Sequence, residues 1–173
     1  MDLGLGGRVY VVSGGSRGLG RATAEALVGD GARVVLGARD EAEVERTAQE
    51  LGGPARAVGV TADLGTAAAA QRLVEAAHRT YDGLDGALVS VGGPPAGTAL
   101  DTSAEAWRDA VETVLLGALR LTRHVAGGIR GDGSIAYVLS SSVRAPIPGL
   151  AISNALRPGL AGLVKTLADE LGP

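Results

Sequence analysis

Five short runs rich in β-branched and small residues punctuate the chain, and each is followed by a longer segment with Ala and Leu at helical spacing. The runs are RVYVVS at 8–13, RVVLGA at 33–38, RAVGVT at 56–61, GALVSV at 86–91 and SIAYVLS at 134–140. A strand that returns to a parallel neighbour needs a crossover of this length, and a helix is the usual one. The spacing therefore predicts helices over 18–30, 40–51, 66–81, 103–125 and 152–171. Wound with right-handed crossovers, the five strands give an α/β fold, a doubly wound parallel Rossmann-like sheet in order 3-2-1-4-5. Ligands on such sheets lie beyond the carboxyl ends of the strands, so the residues that follow each strand are the ones to read for chemistry.

Within the fourth helix, Thr102 and Glu105 stand at capping-box spacing. Trp107, Ala110, Val114, Ala118, Leu121 and Val125 form one apolar stripe, expected to serve core or interface rather than a cofactor. With 173 residues the chain is long enough for a single domain over 1–173. Phe is absent and Trp occurs once, so Ala, Val and Leu must build the core.

A formal net charge of -3 without a long basic run argues against a nucleic-acid footprint. Zero cysteines exclude disulfides, thiolate metal sites and a thiol nucleophile. His78 and His124 lie in separate helices without a carboxylate at ligand spacing, so no metal site is expected. Neither a signal-peptide pattern nor an uninterrupted apolar stretch of the ~18 residues a membrane span needs occurs, and the reading is a soluble, cytoplasmic protein with no membrane partner.

Directly after the first strand comes SGGSRGLGRA. A strand that turns sharply into a helix aims unpaired helix N–H groups at the crevice, and glycines let a diphosphate approach the backbone. The spacing is Gly-x-x-x-Gly-x-Gly, and Ser13, Gly14, Ser16, Arg17, Gly18, Leu19 and Gly20 are the candidate cofactor contacts. About twenty residues on, where such folds choose between a ribose 2′-hydroxyl and a 2′-phosphate, the second strand ends in Ala38 and Arg39 rather than in an acid. Arg39 and Arg17, two guanidiniums near one phosphate position, point to NADP(H). The plainer reading of Arg39 is a solvated strand-end arginine paired with Asp40.

With these residues in place the chain resembles the short-chain dehydrogenase/reductase family from about Gly7 to Pro173. The loop matches the family's Thr-Gly-x-x-x-Gly-x-Gly with Ser13 in the threonine place. The resemblance implies that Asp63 and Leu64 hold the adenine, although Asp63 also suits the start of the next helix. It places the family's Asn-Asn-Ala-Gly stretch on Val89, Ser90, Val91 and Gly92, where only Gly92 is kept. The resemblance also implies four catalytic residues, which fall on Val114 for an Asn, Ser140 for the Ser with Ser141 a near alternative, and Ser153 and Arg157 for the Tyr-x-x-x-Lys pair.

These replacements change the chemistry the resemblance implies. A phenol of pKa ~10 can protonate an alkoxide when a cation stabilises its phenolate, whereas an aliphatic hydroxyl is a far weaker acid. Arg157 keeps the charge but is a poor proton relay. The structural alternatives are a helix-start hydroxyl for Ser153 and a snorkelling side chain for Arg157, with a bend expected at Pro158. Tyr137 reads as a packed strand tyrosine.

The family further implies another strand, a substrate loop and a final strand beyond Pro173, which this sequence does not contain. It also implies a homodimer or homotetramer built on helices 103–125 and 152–171. The expected function is NADP(H)-dependent oxidoreduction of a small carbonyl or secondary alcohol, Ser140 polarising the carbonyl, Arg157 holding ribose and charge, and Ser153 orienting substrate. The alternative is a dinucleotide-binding protein without turnover, a sensor or an assembly subunit.

Overall fold

The structure is a computed structural model that describes residues 3–172, so residues 1, 2 and 173 of the expected domain lie outside the described residues. Five strands, β1 (Val9–Ser13), β2 (Arg33–Ala38), β3 (Ala57–Thr61), β4 (Gly86–Val89) and β5 (Ser134–Tyr137), form one parallel sheet in order β3-β2-β1-β4-β5. The helices are α1 (Gly18–Gly29), α2 (Glu41–Glu50), α3 (Ala67–Tyr81), α4 (Ala104–Ala110), α5 (Ala118–Gly128) and α6 (Ala151–Leu171).

Alternation along the strands sorts the core into two layers. Val9, Val11, Val35, Ala87 and Val89 pack with α3, α5 and α6, through residues such as Leu73, Leu121 and Leu160. Val12, Val34, Leu36 and Leu88 pack on the opposite side with Ala24 and Val28 of α1 and Val44 and Ala48 of α2. The crossovers from β1 and β2 thus cover one face, and those from β3 and β4 the other. The reversal falls between β1 and β4, which pair Tyr10 with Gly86 and Val12 with Leu88. That switch point, at the carboxyl ends of the strands, is where the fold leaves a crevice.

Three local features differ from the sequence expectations. The fourth helix is capped by Ser103, whose hydroxyl accepts the Ala106 amide at 3.2 Å. Thr102 instead donates to the Thr98 carbonyl, so the Thr102–Glu105 capping box does not form. The long helix is also interrupted by a π-helical segment, Val111–Gly117. There the backbone comes so close to the β3–α3 loop that a Cβ on Gly117 would collide with the Leu64 carbonyl. Arg120, one turn on, donates to the carbonyls of Leu64 (3.0 Å) and Gly65 (3.4 Å) and to the Glu112 carboxylate (2.6 Å). Finally, β4 and β5 stop at Val89 and Tyr137, short of the expected 91 and 140, because the chain leaves the sheet there to build the crevice. Helix α6 runs through Pro158.

Candidate functional site

A cleft of about 580 Å³ opens at the switch point. It is lined by the ends of four of the five strands: Ser13, Gly14, Ser16 and Arg17 at β1, Ala38, Arg39 and Asp40 at β2, Asp63 and Leu64 after β3, and Ser90, Val91 and Gly92 after β4. Ala110 and Val114 close it from the helix above, so part of the apolar stripe serves the cleft as well as the core.

At Gly14 and Gly20 the turn needs glycine for close approach. At Gly14 the backbone has φ +63°, and a Cβ would sit 2.8 Å from the Ser90 carbonyl oxygen. At Gly20 a Cβ would collide with the Gly14 carbonyl, so α1 starts hard against the turn. Arg17 precedes α1 without a side-chain cap on its first turn, and the first turn carries no acid. Its amides and the positive helix end are therefore left for an anion. Ser13, 1 % exposed, locks the turn to β4. Its hydroxyl donates to the Ser90 carbonyl at 3.0 Å and accepts the Ser90 amide at 2.9 Å.

Arg17 and Arg39 are both exposed on the wall of this cleft, and neither side chain makes a hydrogen bond or salt bridge among the described residues. Asp40 does not pair with Arg39; its carboxylate caps α2 by accepting the Glu43 amide at 3.0 Å. Asp63 stands both at the cleft and ahead of α3. It lines the cleft, and one carboxylate oxygen accepts the Gly65 amide at 2.9 Å while its carbonyl accepts from Thr66 ahead of α3. Gly18, Leu19 and Gly20 begin α1, with Leu19 exposed.

Ser140, Ser153 and Arg157 form a second group next to the cleft. Ser140 follows β5 and caps a 3₁₀ turn, Ser141–Val143. Ser142 in that turn donates its hydroxyl to Ser140 at 2.9 Å and lies 3.3 Å from the Ser153 hydroxyl, giving an unbroken line of three. Arg157, one turn after Ser153 on α6, is 5 % exposed. Its guanidinium donates to the carbonyls of Val91 (2.9 Å), Gly92 (3.2 Å) and Val138 (3.3 Å), while Nε has no partner among the described residues. Burial lowers its pKa from the ordinary arginine value. Arg157 thus reaches the cleft through the backbone of Val91 and Gly92 rather than by lining it.

The loop before α6 is fixed by Asn154, whose side chain accepts from the Ile147 amide and donates to its carbonyl, both at 2.9 Å. A single parallel bridge, Gly97 to Leu150, ties that loop to the segment after Pro95. Tyr137 is part of the packing beside α5, its hydroxyl bonded to Thr122. Burial raises its pKa despite that hydrogen bond. It lines a separate groove of about 400 Å³ with Ile129, Ile135 and Leu167, along the outer edge of β5. Among the described residues no three His, Asp or Glu side chains gather as a metal site, and no helix is long and apolar enough to cross a membrane.

Sequence reasoning did not single out Ser90, Ser142 or Arg120. Ser90 lay inside the strand expected over 86–91; in the structure it directly follows β4. Arg120 acts through Leu64 and Gly65, more than fifty residues away, and Ser142 through a neighbour in its own turn, Ser140, and through Ser153 on α6.

Residues 8–173 match the family model described as short chain dehydrogenase. The chain is 33% identical over 174 residues to "Dehydrogenase/reductase SDR family member 4" of Homo sapiens, covering 98% of this chain and 62% of that protein. It therefore spans somewhat under two thirds of that relative's length. Among solved structures, L-sorbose reductase from Gluconobacter frateurii, complexed with NADPH and L-sorbose, superimposes with a TM-score of 0.93 at 30% identity, over 99% of this chain and 66% of that one. A short chain dehydrogenase/reductase from Burkholderia phymatum in complex with NAD gives 0.90 at 26% identity, over 96% and 60%.

Proposed function

The chain belongs to the short-chain dehydrogenase family, and on that premise we propose that it is an NADP(H)-dependent oxidoreductase acting on a small carbonyl or secondary alcohol. The observation that carries the cofactor choice is the pair Arg17 and Arg39, both exposed on the wall of the cleft with no side-chain partner among the described residues, beside a glycine turn that a Cβ at Gly14 or Gly20 would fill. Solved relatives hold NADPH in one case and NAD in another. The choice therefore rests on this chain's own residues, and two free guanidiniums with no acid at Ala38 favour a 2′-phosphate.

In this reading Gly14, Ser16, Gly18, Leu19 and Gly20 receive the diphosphate, Arg17 and Arg39 the 2′-phosphate, and Asp63 and Leu64 the adenine end. Gly92 borders the nicotinamide end, which when bound supplies or accepts the hydride. Ser140 hydrogen-bonds the reacting oxygen. Ser153 stands behind it in the hydroxyl line, and Arg157 contributes a fixed positive charge while holding the Val91–Gly92 backbone in place. With serine and arginine at the positions that the resemblance gives to Tyr and Lys, proton delivery depends on hydroxyls and solvent rather than on a phenol.

A second reading, a dinucleotide-binding protein without turnover, has its own observation. Ser153 and Arg157 are both buried; the Ser153 hydroxyl is engaged by Ser142, and both terminal guanidinium nitrogens of Arg157 by backbone carbonyls. Assaying the intact protein with NADPH against a panel of small ketones and aldehydes separates the two. Turnover supports the oxidoreductase; tight NADPH binding with no turnover across the panel supports the binding protein.

A further inference from the structure

We propose that Ser142 is a positioning residue that makes the Ser140 hydroxyl a hydrogen-bond donor toward the reacting oxygen. The inference rests on the reading of the chain as an oxidoreductase of carbonyls and alcohols, and it assigns a role to a residue outside the set that reading uses.

The geometry is specific to the 3₁₀ turn after β5. Ser142 gives Ser140 two hydrogen bonds, from its backbone N–H at 3.2 Å and from its hydroxyl at 2.9 Å, both ending on Ser140 Oγ. A hydroxyl has two lone pairs and one proton. With both lone pairs engaged by Ser142, what Ser140 has left to offer is its own O–H, and a donor is what a carbonyl oxygen gaining negative charge requires. A serine that rotates freely would spend part of its time presenting a lone pair to that oxygen instead.

Ser142 is itself held. It is 3 % exposed, and its oxygen lies 3.3 Å from the Ser153 hydroxyl, which donates to it once the Ser142 proton is committed to Ser140. The line therefore runs one way, from Ser153 to Ser142 to Ser140. Arg157 fixes the far side of the same region by bonding the Val138 carbonyl two residues before Ser140. Ser142 does not line the cofactor cleft. Its role is confined to the orientation of one hydroxyl, and no bond is made or broken at Ser142.

The test compares Ser142→Ala and Ser142→Thr with the wild type as intact proteins. Both variants are expected to bind NADPH as the wild type does, by calorimetry. On a ketone that the wild type reduces, Ser142→Ala loses roughly ten- to a hundredfold in kcat with KM changed by less than about threefold, and Ser142→Thr, which keeps the hydroxyl, recovers most of the loss. An unchanged kcat in Ser142→Ala, or a loss that threonine does not restore at unchanged melting temperature, overturns the proposal. A second measurement needs no turnover and stands if the wild type reduces nothing, which would bring down the functional reading alone. Proton NMR of serine-labelled protein should show a slowly exchanging Ser142 hydroxyl that Ser140→Ala abolishes. Absence of that signal, or its survival in Ser140→Ala, overturns the proposal independently.

Discussion

Ser13 and Ser90 hold each other across the switch point of the sheet: one hydroxyl, on Ser13, donates to the Ser90 carbonyl at 3.0 Å and accepts the Ser90 amide at 2.9 Å. The pair joins the end of β1 to the end of β4, the two strands between which the crossovers change face. Through it, the glycine turn and the Ser90–Gly92 segment become a single wall of the cleft.

Ser13→Ala should therefore destabilise the fold by about 1–3 kcal/mol, since it leaves the half-buried amide and carbonyl of Ser90 without their partner. Ser13→Thr keeps the hydroxyl and should cost much less. Urea denaturation of the two variants reads the difference, and equal midpoints would show that Ser13 is dispensable.

Gly20→Ala acts on the same turn from the helix side, where the new methyl would meet the Gly14 carbonyl. Backbone has to shift to admit it, and the diphosphate cradle shifts with it. NADPH affinity is expected to fall roughly tenfold or more, ~1.4 kcal/mol or above. Calorimetric titration checks this, and wild-type affinity in Gly20→Ala would remove the cradle from the account.

Arg39→Ala addresses cofactor choice. Losing a charge-assisted bond to a 2′-phosphate should weaken NADPH about tenfold and leave NADH nearly unchanged. Equal losses for both cofactors, or none, would contradict the assignment of Arg39.

How far the sequence could be read depended on the range of the interactions involved. The period of the apolar residues marked the five strands and the helices between them, because each element's burial is written into its own residues, while their order followed from how such units wind. The turn at Gly14–Gly20 was legible for the same reason, as glycines at fixed offsets after a strand have few other uses. Helix 103–125 was not fully legible. Its cap is Ser103 rather than Thr102, and its π-helical segment follows from contacts of Gly117 and Arg120 with the Leu64–Gly65 loop, more than fifty residues away. Arg157 was found by its place in a motif, but its partners are backbone carbonyls, which carry no residue signature.

Alkaline stability has a defined sign. Burial raises the phenol pKa of Tyr137 and of Tyr81 above the ordinary value of 10.0, the Thr122 hydrogen bond and the Arg33 charge opposing it only in part. The unfolded chain therefore releases these protons first, so stability is full below about pH 10 and declines as pH rises through the folded-state values. Tyr81→Phe with Tyr137→Phe should flatten that decline in thermal melts taken across the alkaline range. A decline of unchanged steepness would place its origin elsewhere.

The central claim is that this cleft holds NADPH and passes its hydride to a carbonyl beside Ser140. The most direct measurement incubates the intact protein with NADPH deuterated on the nicotinamide carbon that donates hydride, in the presence of a panel of small ketones, and analyses the alcohols by mass spectrometry. The account predicts deuterium on the carbinol carbon of at least one product, with yield lowered by Ser140→Ala and by Arg39→Ala. Saturable NADPH binding with no deuterated alcohol from any ketone would contradict it.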